Sequence, residues 1–167
     1  MIDMKHKGIM MIVVGAVLGI ITACSTMTAA ERAERALAVE KALEMRRYVV
    51  DVQMMYPYRG QAVNVTSTYS LEVKGDTLVS YLPYFGRAYN VPYGGGKGMN
   101  FTSLISSYEA VKDRQGRTHV RLVTDNDEDL IVFELEIFDN GHAAIDVHAR
   151  EREPISYSGQ LVDKEDK

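Results

Sequence analysis

The chain has no tryptophan, a single cysteine, four prolines and four histidines in 167 residues. One cysteine excludes an internal disulfide, and a zinc site would have to draw on other ligands. The formal charge of −4 carries no basic excess, and there is no lysine or arginine stripe to neutralise phosphates. Nucleic acid is therefore excluded as a partner. The longest apolar run, Ile9 to Ile21, falls short of the ~20 residues a spanning helix needs. What the chain does have is a 46% apolar composition, enough for one domain with a substantial core.

Lys5, His6 and Lys7 precede the apolar run, which closes on Thr22-Ala23-Cys24. A positive stretch, an apolar stretch and small residues at the end define a secretory signal over residues 1–23. Ile21-Thr22-Ala23-Cys24 resembles a bacterial lipobox, whose cysteine is diacylated on its thiol and becomes the first mature residue. Each buried CH₂ of such chains contributes about 0.8 kcal/mol, so two or three chains anchor firmly. The alternative is an ordinary cleaved signal with an incidental cysteine. The only cysteine stands where the lipobox requires it, which favours lipidation at Cys24 and the membrane as a partner.

Thr28-Ala29-Ala30-Glu31 is a capping-box pattern, and Ala29 to Arg46 are mostly strong helix formers. Ala33, Leu37, Ala36 and Leu43 are the expected apolar stripe of this helix, which is expected to cap one end of a sheet. With Cys24 it forms the segment 24–46. From Tyr48 the period changes to two: Tyr48, Val50, Val52, Met54 and Tyr56 share one face of a strand. Further strands are expected at Ser67 to Lys74, Thr77 to Leu82, Ser106 to Lys112, Thr118 to Thr124, Leu130 to Phe138, Ala143 to Ala149 and Ile155 to Leu161. Asp139-Asn140-Gly141 is a strong hairpin turn. Short strands joined by tight turns must hide their edges. The expected β-domain, residues 47–161, is mainly β: a small antiparallel β-barrel or half-barrel with one N-terminal helix, the runner-up being a β-sandwich. Residues 162–167 are expected to form a charged tail.

One stretch interrupts this pattern. From Leu82 to Phe101 it holds five glycines, five aromatics and two prolines, and repeats an apolar-Pro-Tyr motif at Pro83-Tyr84 and Pro92-Tyr93. Proline cannot donate to a central ladder, so this is read as an aromatic loop. Leu82-Pro83-Tyr84-Phe85-Gly86-Arg87-Ala88-Tyr89, with Pro92-Tyr93 and Gly141 to Ile145, resembles an uncharacterised lipoprotein family of Bacteroidetes-type bacteria, domain of unknown function 4251, over roughly Glu40 to Leu161. The resemblance implies a small antiparallel barrel or curled sheet in the cell envelope and supplies no catalytic residues. Lipoproteins of this bacterial group that reach the cell surface often carry acidic residues soon after the cysteine. Ser25-Thr26-Met27-Thr28 has none, which points to the periplasmic face of the outer membrane.

Catalytic motifs are weak. Gly94-Gly95-Gly96-Lys97-Gly98 lacks the upstream glycine and following Ser or Thr of a phosphate loop. Asp125, Asp127 and Asp129 have calcium-loop spacing, but Leu130 replaces the required glycine, so a solvated turn is the default. His142, Asp146 and His148 fall on one strand face, read as an exposed polar face rather than a metal site. No enzyme activity, metal or cofactor is expected. Tyr84, Arg87, Tyr89 and Tyr93 are the candidate ligand-binding residues, Arg87 stacking on a tyrosine or pairing with a carboxylate. Thr77, in Asp76-Thr77-Leu78, is similar to an O-glycosylation sequon of these bacteria. The expected function is a non-catalytic, lipid-anchored binding module for a small ligand, glycan or envelope protein. The alternative is a structural or assembly protein whose tyrosines only fill the core.

Overall fold

The computed structural model describes residues 27–89, 99–126 and 129–162. Residues 1–23, Cys24, Tyr93, the glycines from Gly94 to Gly98, Asp127 and the tail after Val162 lie outside the described residues.

The helix α1 spans Ala29–Glu44. Its start is the expected capping box: the Thr28 N–H donates to Glu31 Oε2 at 2.6 Å, and the Glu31 N–H donates to Thr28 Oγ1 at 3.2 Å. It ends where Arg46 takes a left-handed φ of 49°, with the Arg46 N–H bonded to Leu43 O at 3.1 Å. The expected stripe is corrected. Val39 and Leu43 are the buried side chains, with Ala36 and Ala42 half-buried beside them. Ala33 is exposed, and Leu37 is 67% exposed. A spacing of four from Val39 to Leu43 sets the face that packs, and Leu37 falls off it.

Eight strands follow: β1 Arg47–Pro57, β2 Val63–Lys74, β3 Thr77–Leu82, β4 Met99–Lys112, β5 Arg117–Asp125, β6 Leu130–Phe138, β7 His142–Ala149 and β8 Ile155–Val162. Each pairs antiparallel with the next, and β8 pairs back onto β1, so the sheet is a closed barrel rather than a half-barrel or sandwich. Closure removes every edge that would otherwise template aggregation. β8 runs to Val162, one position into the segment expected to be tail.

The barrel is filled by alternate side chains. Leu71, Val73, Leu78, Leu122, Ile131, Phe133, Ala143 and Ile145 are fully buried. Each large one contributes about 1.5–3 kcal/mol by leaving water. The outer face carries Glu109, His119, Arg121, Glu134, Glu136, Asp146 and His148, so the His142-Asp146-His148 face is outward as expected. An apolar lumen inside a charged exterior is the inverse of a membrane-spanning barrel. No helix among the described residues is long and apolar enough to cross a membrane.

Two bulges break the alternation. The register of β1 shifts between Val52 and Met54, so Met55 rather than Met54 is buried and Tyr56 turns outward. β4 shifts between Ile105 and Ser107. Before the shift odd positions face the core; after it Tyr108 pairs with buried Leu122 and Ala110 with buried Val120. β4 therefore starts at Met99, inside the stretch read as loop, because no single period covers both halves. α1 and the hairpin turns after β2, β4 and β6 lie at one end of the barrel. The other four connections lie at the opposite end.

The seam between β1 and β8 requires glycine. A Cβ at Gly159 would stand 2.1 Å from the Asp51 carbonyl oxygen, beside the β1 bulge. Gly159→Ala is expected to cost about 2–3 kcal/mol by overpacking. That lowers Tm by roughly 4–12 °C in a chain of this size. Thr102→Ala, on the exposed face, should stay within about 0.5 kcal/mol. Thermal unfolding by circular dichroism compares the two.

Candidate functional site

The end opposite α1 is assembled from four connections, and two buried carboxylates tie them together. Glu153, between β7 and β8, is 6% exposed. Its Oε2 accepts the Arg87 N–H at 3.1 Å, and its Oε1 is 3.4 Å from Arg59 Nε. Its own N–H donates to Arg87 O at 3.0 Å. Glu153 thus joins the β7–β8 connection to those after β1 and β3. Asp129, before β6, is 5% exposed. Its Oδ1 accepts the N–H groups of Arg150 and Glu151 at 3.0 and 3.2 Å, and its Oδ2 is 3.5 Å from buried Arg152 Nε. A carboxylate with several backbone donors and an opposite charge is satisfied in a site where an unpaired one would be untenable.

The aromatic segment runs across this platform. Ala88 bridges Arg152, and the Tyr89 N–H donates to Glu151 O at 2.7 Å. The Tyr84 hydroxyl lies 3.0 Å from Arg87 O and 3.1 Å from Glu153 O, so its one proton alternates between two carbonyls. The buried Tyr157 hydroxyl donates to Pro83 O at 2.6 Å. Held by this backbone, Phe85 and Tyr89 project outward, 72% and 67% exposed. Tyr58, on the β1–β2 connection, is exposed with the Arg59 guanidinium 5.8 Å from its ring centre.

The four candidate residues therefore separate. Tyr84 is a half-buried clamp and Tyr89 an exposed ring, while Tyr93 lies outside the described residues. Arg87 is exposed and contributes its backbone to Glu153; the cation over the Tyr84 ring is Arg152, 5.8 Å from its centre. Arg152 wins because it is buried beside the ring, whereas the Arg87 backbone is taken up by the bridge. Thr77, half-buried at the start of β3 beside exposed Asp76, lies at the other end of the barrel. Asp129 is not in a solvated turn: its side chain is spent on the Arg150 and Glu151 amides. The run Arg150-Glu151-Arg152-Glu153 alternates charges and contains no apolar residue to mark two of its members as buried. Its one available signal was Pro154, which fixes the backbone immediately before β8. No group of metal-ligating side chains is assembled among the described residues.

The tyrosines divide between core and surface. Burial pushes the Tyr48 phenol well above its ordinary range, with Tyr108 next to it as a further cause. Burial also raises Tyr157, Tyr108 and Tyr84. The Tyr48 and Tyr108 hydroxyls are 3.3 Å apart, and the Arg46 guanidinium lies 4.5 Å over the Tyr108 ring. This cluster borders a second feature at the α1 end, a cleft of about 410 Å³ between Leu43, Arg46, Tyr108 and Lys112.

An eight-stranded antiparallel barrel with one helix at one end and a tied aromatic platform at the other is the class this fold defines. The chain belongs to the family described as Domain of unknown function (DUF4251), whose model matches residues 30–161. The match begins within α1, so the helix is part of the family's unit and the resemblance extends beyond Glu40. The fold is similar to that of a DUF4251 family protein from Bacteroides eggerthii DSM 20697 known from a crystal structure. The two share 18% identity with a TM-score of 0.59, over 81% of this chain and 90% of that one. No curated protein matches the chain.

Two predictions follow from burial. Asp129→Ala takes one carboxylate from buried Arg152 and leaves the Arg150 and Glu151 amides without their acceptor, and should cost about 3–5 kcal/mol. Exposed Asp125→Ala should stay within about 0.5 kcal/mol in the same thermal melts. A calcium-loop or solvated-turn role would make the two alike. For the tyrosines, the fold favours the neutral phenol, while the unfolded chain ionises at an ordinary value of 10.0. Stability is therefore fully present below that pH and declines as pH rises past it. In an alkaline absorbance titration Tyr48 and Tyr157 should ionise only as the barrel opens.

Proposed function

We propose that this protein is a non-catalytic, lipid-anchored binding module of the cell envelope that meets a glycan, small ligand or partner protein through its aromatic end. The observation that carries the reading is the pair Phe85 and Tyr89, held out in solvent by loops that are themselves pinned to buried Glu153. Ordering a loop before contact removes part of the entropy that binding would otherwise cost. Exposed rings on loops that also carry exposed Arg59 and Arg87 suit hydroxyl-rich or mixed polar and apolar surfaces. The polar groups nearby support a binding role over a catalytic one, because Tyr84, Asp129 and Glu153 are occupied in holding the backbone. Anchoring rests on the Ile21-Thr22-Ala23-Cys24 lipobox, and the periplasmic face of the outer membrane rests on the residues that follow it. The alternative, an assembly protein making contacts through α1, has exposed Leu37 in its favour.

In the native host, a photo-crosslinking residue at Phe85 or Tyr89 should capture discrete adducts that the same residue at Glu134 does not. Adducts absent from both, or equal at all three positions, would sink the aromatic end as the contact surface. Phe85→Ala with Tyr89→Ala should change stability by less than about 1 kcal/mol, so loss of capture by a competitor assay reads contact rather than folding. Cys24→Ala should release the protein from the membrane fraction; retention there would count against the anchor.

A further inference from the structure

At the α1 end the barrel does not fill its own mouth. After its bulge β4 turns Tyr108, Ala110 and Lys112 inward, yet Ala110 and Lys112 stay exposed because α1 crosses the opening on Val39 and Leu43 without covering them. The resulting cleft, about 410 Å³, is in the range of small-molecule sites, ~300–1,000 Å³. Leu43 and Tyr108 are among its lining residues, and the Tyr108 hydroxyl is 3.3 Å from that of buried Tyr48.

Its charges are of both signs and unevenly satisfied. Lys112 Nζ is 3.3 Å from Asp139 and 3.8 Å from Glu40. Arg46 is 3.3 Å from Asp76, whose side chain is 81% exposed. The Glu44 side chain makes no ion pair or hydrogen bond among the described residues. Exposed pairs of this kind contribute only about 0–1 kcal/mol, so a ligand group can replace them at little cost. A simple anion would meet Glu40 and Glu44, and a simple cation would meet Arg46 and Lys112. A molecule with both charges meets each with its opposite.

We infer that this cleft binds a small zwitterion bearing an ammonium and a carboxylate: a free amino acid or a dipeptide. Glu44 and Glu40 receive the ammonium, Arg46 and Lys112 the carboxylate, and the side chain lies on Tyr108 and Leu43. The site is separate from the aromatic end and does not depend on it.

Calorimetric titration of the purified full-length protein in detergent tests this, with L-phenylalanine and alanyl-phenylalanine up to about 10 mM. N-acetyl-L-phenylalanine and L-phenylalanine amide serve as singly charged controls. At least one zwitterion should bind, and each capped analogue should bind at least tenfold more weakly. The preferred zwitterion identifies the source as amino acid or peptide. Glu44→Gln, which breaks no contact, should leave Tm unchanged and weaken the zwitterion at least tenfold without affecting the N-acetyl form. Lys112→Met should do the same relative to the amide. Absence of binding by both zwitterions, equal binding of the capped forms, or full affinity in Glu44→Gln would each overturn the inference.

Discussion

Two carboxylates taken out of water hold one end of this barrel together. Asp129 and Glu153 are each nearly inaccessible; Asp129 accepts the Arg150 and Glu151 N–H groups beside the Arg152 guanidinium, and Glu153 accepts the Arg87 N–H beside the Arg59 guanidinium. Removing a charge from water costs several kcal/mol unless its lone pairs are met, so this arrangement is stable only as a whole. Every connection at that end contributes: Arg59 after β1, Arg87 after β3, Asp129 after β5, and Arg150 to Glu153 after β7. The position of Phe85 and Tyr89 in solvent is a consequence of that network.

The barrel beneath it depends on breaks in its own pattern. The bulges in β1 and β4 reverse which positions face inward, and the β1 bulge brings the Asp51 carbonyl against Gly159 at the closing seam. Bulges sharpen local twist, which a small sheet needs in order to close on itself. The β4 bulge also directs Tyr108 and Lys112 toward the mouth beneath α1. The seam and the cleft thus each lie beside a bulge, one in β1 and one in β4.

Much of the fold was legible because its signals are local. The Thr28 to Glu31 capping box, the Asn140-Gly141 turn and the shared face of Ile131, Phe133, Leu135 and Ile137 each specify their structure within a few residues. The family was legible in the Leu82 to Tyr89 string. The start of β4 was hidden because Met99 to Ile105 and Tyr108 to Lys112 obey opposite parities. The burial of Asp129 was hidden because the amides it accepts are more than twenty positions away, at Arg150 and Glu151. Arg87 is near Tyr84 in sequence, while Arg152 reaches its ring only through the tertiary fold. Leu37 shares a helical spacing of four with Ala33, but Glu34, Glu40 and Lys41 fill its other positions at spacing three and four, which places it on the wet side.

The two ends of the molecule now have different physical characters. One is a rim whose described loops are tied by buried carboxylates and carry protruding rings; the other is an open mouth with mixed charge beside a helix that buries Val39 and Leu43. The central claim is that Glu153 pins the rim without being needed for the barrel. Amide hydrogen exchange on Glu153→Ala against the unaltered protein measures this directly, since local opening and global unfolding leave different patterns. The account predicts faster exchange at Arg87, Tyr89 and residue 153, with Leu135 and Ile145 in the core strands unchanged. Uniform loss of protection across all strands, or none at the rim, would contradict it.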